Sequence, residues 1–322
     1  MKAVKVALAV LIMAGGTLCV QAQEWPNRPV RVYIPVASGA GTDLVARVVA
    51  EEFQVNSGQP MVIENRPAGG GTQAADIIAR SDPDGYNIIL GNSGLVGILP
   101  HLLKRIPFDT FKDFTFITPA AETALCIVVK KDLPVSNAKE LVEYAKANPG
   151  KLSFGSSGQG SGHHLAGVYF NSFAGVDMTH IAYRGGAPAM TDLLAGQIPV
   201  LVATVSTVTP YMNTDQLKII GMVGAQRSKI YNQIPTIGEV LPGFAVPTGW
   251  LGYFGPPNIP KNLLDRIHGQ LVKAITSQRV SAAFEKAGFE TFTLPPDEFT
   301  ARVRKEYDVY GKIIAEAKIE RQ

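Results

Sequence analysis

Cysteine is scarce in this 322-residue chain, which carries only Cys19 and Cys126. Cys19 falls in an amino-terminal stretch built like a secretory leader: Lys2 and Lys5, the apolar run Val6 to Met13, then small residues ending at Val20-Gln21-Ala22. Cleavage after Ala22 is expected, giving a signal peptide over 1–22, a mature protein beginning near Gln23 and a periplasmic destination. Cys126 would then stand alone, and a lone cysteine forms no intramolecular disulfide even in an oxidising compartment. It lies in the apolar run Ala124 to Val129, the setting of a buried, inert thiol rather than a nucleophile. Cys19 follows Leu18, not a small residue, so no lipid anchor is expected there.

Long apolar runs are also lacking. The leader's run is too short to cross a bilayer, and no later segment approaches the ~18 uninterrupted apolar residues of a membrane span. Charge of one sign is missing as well: loss of Lys2 and Lys5 takes the formal +3 close to neutrality, which leaves no electrostatic footprint for nucleic acid. Histidines are few. His163 and His164 are adjacent, so on a helix they point ~100° apart and cannot hold one metal as an i, i+4 pair could. His101, His180 and His268 stand apart in sequence, and no metal or cofactor is expected.

Short apolar strands alternating with amphipathic helical stretches predict βαβ units, and a chain of this length predicts more than one core. The pattern places strands at 30–36, 60–64, 88–90, 126–130, 152–155, 179–183, 199–204 and 217–223. Helices are expected after Thr42 or Asp43 as cap, over 72–79, over 137–147, along Leu165 to Phe173 and after Arg184-Gly185-Gly186. The stretch 241–260, rich in glycine, proline and aromatics, reads as a connector, with Trp250, Tyr253 and Phe254 as packing beneath it. Helices then follow, striped by Leu263, Leu264, Ile267, Leu271 and Ile275 and by Phe299, Val303, Tyr307, Tyr310, Ile314 and Ala317, and should pack on the first domain. The expected domains are 23–124, 125–245, and a return of the chain to the first domain over 246–322.

Two turns stand out, each between a strand and a helix: Ala37-Ser38-Gly39-Ala40-Gly41-Thr42-Asp43 and Ser156-Ser157-Gly158-Gln159-Gly160-Ser161-Gly162. A helix start presents unpaired N–H groups and the positive end of its dipole, and small residues let ligand oxygens approach the backbone, so each turn suits a carboxylate without any arginine. No Gly-Lys-Ser/Thr follows either turn and no dinucleotide glycine fingerprint is present. A serine hydrolase acting through Ser161 is the enzymatic alternative, but Gly158-Gln159-Gly160-Ser161-Gly162 lacks the spacing of a nucleophile elbow. Arg66 is read as a structural ion-pair residue.

Several motifs then combine: Trp25-Pro26-Asn27-Arg28-Pro29, Gly41-Thr42-Asp43, Glu64-Asn65-Arg66-Pro67 before Gly69-Gly70-Gly71, Pro83-Asp84-Gly85-Tyr86, His164-Leu165-Ala166-Gly167, Ala187-Pro188-Ala189-Met190-Thr191-Asp192-Leu193-Leu194 and Pro235-Thr236. In order and spacing the chain resembles the Bug receptor family, the TctC-like extracytoplasmic solute-binding components of tripartite tricarboxylate transporters. The resemblance implies a two-lobed type II periplasmic-binding fold with mixed sheets flanked by helices, hinged closure on a small carboxylate, no covalent chemistry, two integral membrane partners and a monomer. A ligand sensor feeding a membrane signalling partner would share all of this chemistry. The resemblance carries ligand contacts onto Ala37, Ser38, Gly39, Ala40, Gly41 and Thr42, onto Ser93, onto Ser157, Gly158, Gly160, Ser161 and Gly162, and onto Thr204. Two departures bear on specificity. Val36-Ala37-Ser38-Gly39-Ala40-Gly41 replaces a proline- and glycine-rich family segment, and Ala203-Thr204 stands where an aspartate is common. The second favours a carboxylate without an ammonium group.

Overall fold

The computed structural model describes residues 25–317 and 319–321; the expected signal peptide and Gln23 lie outside the described residues. The chain opens as a βαβ unit. Strand β1 (Val30–Ile34) leads into helix α1 (Gly41–Ser57), which buries Val45, Ala46, Val49, Ala50 and Phe53 on one face and ends at Gly58 in the left-handed conformation. Strand β2 (Met61–Asn65), helix α2 (Thr72–Ala79) and strand β3 (Asn87–Asn92) follow, with β2 and β3 both parallel to β1 and on opposite sides of it. A π-helical turn (Gly94–Ile98) running into one α-turn (Leu99–Leu102) leads to β4 (Thr115–Thr123).

The chain crosses to a second sheet through Ala124. Strand β5 (Leu125–Lys130), helix α3 (Ala138–Ala147, capped by Asn137), strand β6 (Ser153–Ser156), helix α4 (Gly162–Ala174), strand β7 (Thr179–Ala182), helix α5 (Gly186–Ala195), strand β8 (Val200–Thr204) and strand β9 (Leu217–Met222) build it in the order β7-β6-β8-β5-β9. Here β6 is parallel to β7 and β8, while β5 is antiparallel to β8 and β9.

The return crossing leads into β10 (Gly249–Gly255), helix α6 (Lys261–Ile275), helix α7 (Gln278–Lys286), strand β11 (Phe289–Thr291) and the last helix, α8 (Pro296–Glu316). The first sheet reads β11-β4-β10-β3-β1-β2, with β10 antiparallel to both its neighbours. The fold is therefore two lobes, each with a mixed sheet flanked by helices.

Four expectations need correction. Strand β1 stops at Ile34, before Pro35, rather than reaching Val36. Ala40, not Thr42 or Asp43, occupies the cap position of α1, with no side-chain cap bond. The connector over 241–260 contains β10, a central strand whose residues Trp250, Tyr253 and Phe254 are buried; its glycines, which disguised it, are packing requirements. A Cβ at Gly252 would stand 2.6 Å from the Phe299 Cζ on α8. Finally, α8 does not pack on the first lobe alone. Phe299 and Val303 join first-lobe residues Trp250 and Phe116, whereas Tyr310, Ile313 and Ile314 lie in one core with Phe154, Leu165 and Phe170 of the second. A helix of 21 residues is about 30 Å long, enough to reach across.

Candidate functional site

In each lobe the strand order reverses at one point. From β1 the chain proceeds to β2 on one side, while β3 lies on the other; from β6 it proceeds to β7, while β8 lies on the other. Crevices outside the carboxyl ends of strands at such reversals are where open α/β sheets take ligands. The pairing Tyr33↔Ile89 brings the segment after β1 beside Ser93 at the end of β3. The pairing Gly155↔Leu201 brings Ser157 beside the end of β8, where Thr204 stands. The candidate ligand residues thus lie at or just beyond the carboxyl ends of the strands flanking the reversal in each lobe.

The first turn is held from behind by Asp43, which is 4% exposed. Its carboxylate accepts from Arg47 Nε and Nη2 at 2.9 and 3.0 Å, from the Gly39 N–H at 2.9 Å and from Asn65 Nδ2 at 3.0 Å. Asn65 Nδ2 also donates to the Val36 carbonyl at 3.0 Å. The Arg47 hydrogen bond, helped by those from Gly39 and Asn65, holds the Asp43 carboxyl well below the usual range. An acidic side chain at a helix start would repel a ligand anion, and Arg47 offsets that charge. Ala37, Ser38, Gly39 and Gly41 remain exposed, Ala40 is half-buried and Thr42 is buried. The first N–H groups of α1 have no side-chain cap.

The second turn is packed around three histidines, the adjacent His163 and His164 and the distant His180. Ser161 caps α4, accepting from the His164 N–H at 3.2 Å and donating to the Gly158 carbonyl at 2.7 Å. The Gly160 N–H donates to His164 Nδ1 at 3.2 Å, and the His164 ring lies 4.2 Å from that of His180. Ser156 Oγ is 2.7 Å from His180 Nε2, and Ser157 Oγ is 2.7 Å from His163 Nδ1. Burial pushes the imidazoles of His163 and His164 down to about 4 and lowers that of His180. His180 arrives only through the β6/β7 pairing Phe154↔His180, a contact that no local spacing announces. Ser161, the hydroxyl of the hydrolase alternative, is engaged as a helix cap.

Thr204 Oγ1 lies 2.8 Å from Thr207 Oγ1 and accepts from Ser206 Oγ at 3.1 Å, a hydroxyl cluster of which sequence reading found one member. Ser93 is only 7% exposed and sits beside the Tyr310 phenol of α8. Like Thr42 and Gly160, it is a buried candidate. Arg66 pairs with Glu64 at 3.0 Å. Cys126 is fully buried, its thiol pushed up to about 12 by burial.

The lobes meet at the rims of these turns. A Cβ on Gly160 would touch Leu102 and Leu99, and one on Gly288, just before β11, would stand 2.8 Å from Cα and Cβ of Ser206. A Cβ on Gly41 would stand 2.8 Å from Cζ of the neighbouring Phe289. A separate cavity of about 490 Å³ opens between the two crossings and α8, lined by residues such as Leu125, Gly224, Ser228, Val246 and Lys305; none of the candidate residues lines it. Beside it Arg302 pairs with Glu122 at 2.6 Å and Glu306 at 2.7 Å, and Glu306 accepts from Trp250 Nε1 at 2.6 Å. The paired turns present donors on both sides and no unpaired charge in either.

Residues 45–319 match the family described as tripartite tricarboxylate transporter family receptor, TctC. BugT of Bordetella pertussis (strain Tohama I) is 27% identical, over 94% of this chain and 93% of its own. Among solved structures, an R. palustris protein with adipate aligns at a TM-score of 0.83 and 27% identity, covering 93% of this chain and 100% of that one. MatC from Rhodopseudomonas palustris with bound malate aligns at 0.78 and 26% identity, covering 90% and 100%.

Proposed function

The chain belongs to the tripartite tricarboxylate transporter receptor family, TctC, and from that membership we propose that it is a periplasmic receptor which closes two lobes on a small carboxylate and passes it to two integral membrane transporter subunits. The observation that carries this reading is the placement of a small-residue turn and a helix start at the strand-order reversal of each lobe. A carboxylate between them would accept from the N–H groups at the starts of α1 and α4 and from the hydroxyls of Ser38, Thr42, Ser157 and Thr204, and would pay for its lost water with preorganised donors. No step of this binding makes or breaks a covalent bond.

The moving bodies are 23–124 with 246–322, and 125–245, hinged where β4 passes into β5 and where the chain returns into β10, with the end of α8 that carries Tyr310, Ile313 and Ile314 seated on the second body. The ligand class is a di- or tricarboxylate or an aromatic acid. The absence of an acid at Ala203-Thr204 supports a ligand without an ammonium group. Two structural relatives were solved with dicarboxylates, adipate and malate, which supports that class.

The test is a thermal-shift screen of the mature chain, from Gln23 onward, against citrate, C4 to C6 dicarboxylates, acidic amino acids and aromatic acids. A ligand at a hundredfold excess over its Kd should stabilise by about 2.7 kcal/mol, a rise of several degrees. A flat response to every carboxylate would overturn the receptor reading.

A further inference from the structure

The backbone of the turn is bound by other groups than Ser157 and His163: Ser161 caps the helix, His164 accepts from the Gly160 N–H and Ser156 accepts from the Gly158 N–H. Ser157 Oγ and His163 Nδ1 are 2.7 Å apart, and that single hydrogen bond can run in either direction. If Nδ1 is bare, the Ser157 proton points back at the ring and its lone pairs face outward. If Nδ1 carries the proton, the ring donates to Oγ and the Ser157 proton is free to point outward. The two arrangements present opposite polarity to anything bound at the turn.

Taking the carboxylate-receptor reading as premise, we propose that His163 is a specificity-determining positioning residue: its Nδ1–H donates to Ser157 Oγ, so that the Ser157 hydroxyl donates to the ligand carboxylate. The remaining groups at this place are donors too. Ser157 adjoins the start of α4, whose first N–H groups are directed away from the helix. With Nδ1 protonated, hydroxyl and backbone act in one sense, toward an anion. With Nδ1 bare, an outward lone pair would oppose them. The imidazole Nε2 has no hydrogen-bond partner among the described residues, so nothing else in the fold dictates the tautomer. Burial keeps the ring neutral at ordinary pH, which makes the choice one between tautomers rather than one of charge. The arrangement is the reverse of a nucleophile pair, in which a bare ring nitrogen would take the serine proton.

Long-range ¹H–¹⁵N correlation of the imidazoles, on the mature chain at pH 7, reads the tautomer directly, with His163 assigned by its disappearance in His163→Asn. The spectrum is taken free and with adipate and malate as probes. A proton on Nδ1 in the free protein, retained with either probe, is the expected result; a bare Nδ1 overturns the proposal. The carboxylates of the thermal-shift screen give the second arm. For whichever binds, His163→Phe should weaken it by about tenfold, the loss of one hydrogen bond to a charged group. His163→Asn, whose amide reaches the same place with a donor, should restore most of that affinity. In a Ser157→Ala background His163→Phe should cost nothing further, and an undiminished loss there would also overturn the proposal. If no carboxylate binds the unaltered chain, the receptor reading fails while the free-state tautomer still decides the direction of this hydrogen bond.

Discussion

At the scale of single residues, both turns depend on side chains set behind them. Asp43 accepts from Arg47, Asn65, the Ser38 hydroxyl and the Gly39 N–H, and fixes the first turn through the last two and, by way of Asn65, the Val36 carbonyl. Asp43→Ala leaves Arg47 without its partner and the turn without its anchor. The expected cost is about 3 kcal/mol in urea unfolding, with weaker carboxylate binding alongside. The histidines make a pH prediction. His164 must be neutral to accept from the Gly160 N–H, and its folded value of about 4 lies below the ordinary value near 6.5. The unfolded chain therefore takes up the proton first. Stability is full above about pH 6.5, falls as pH drops toward 4, and levels off below. A loss of a few kcal/mol across that window is expected, reinforced by His163, with which it shares direction and cause, and by His180 across the ring contact. His164→Asn keeps an acceptor for Gly160 and removes one titration, so its melting temperature should vary less over the same pH range.

Among the elements, β10 shows how composition and structure part company. A strand of Gly249-Trp250-Leu251-Gly252-Tyr253-Phe254-Gly255 looks like loop by its glycines, yet it is hydrogen-bonded on both sides in the first sheet. Gly252 is where the aromatic ring of Phe299 lies against the sheet. A Cβ there would meet Phe299 Cζ at 2.6 Å and the Pro119 Cα at 3.2 Å. Gly252→Ala should destabilise the fold by about 1–3 kcal/mol through overpacking, measurable as an earlier urea midpoint with an unchanged slope. Helix α8 is the other element that exceeds its local pattern. Its stripe is continuous, but its two ends serve different cores.

For the whole molecule, the question is how the lobes approach one another. Gly288 in the first lobe lies against Ser206 in the second, with φ at +77°, a backbone conformation that side chains other than glycine rarely adopt. Gly288→Val should hold the lobes apart as well as straining the turn. Small-angle scattering is expected to show a larger radius of gyration in the presence of ligand than for the unaltered chain, and affinity should fall. An unchanged radius would remove Gly288 from the closing surface. On the opposite side, Arg302 ties Glu122, just before the first crossing, to Glu306 on α8 and to Thr248, just before β10.

The kind of fold is legible in the sequence. Its alternation of strand and helix, the two small-residue turns and the motif order all mark local events: a helix face, a turn, a helix start. Tertiary structure alone decided what stands behind those turns. Asp43 and Arg47 are four residues apart and legible as a helical pair, but Asn65 reaches them only because β2 pairs with β1. His164 and His180 meet because β7 pairs with β6, and Ser93 turns toward Tyr310 because α8 returns across both lobes. Local sequence encodes backbone conformation through side-chain sterics and polarity, whereas partners distant in the chain are assigned by sheet pairing and core packing, which no short window of residues contains.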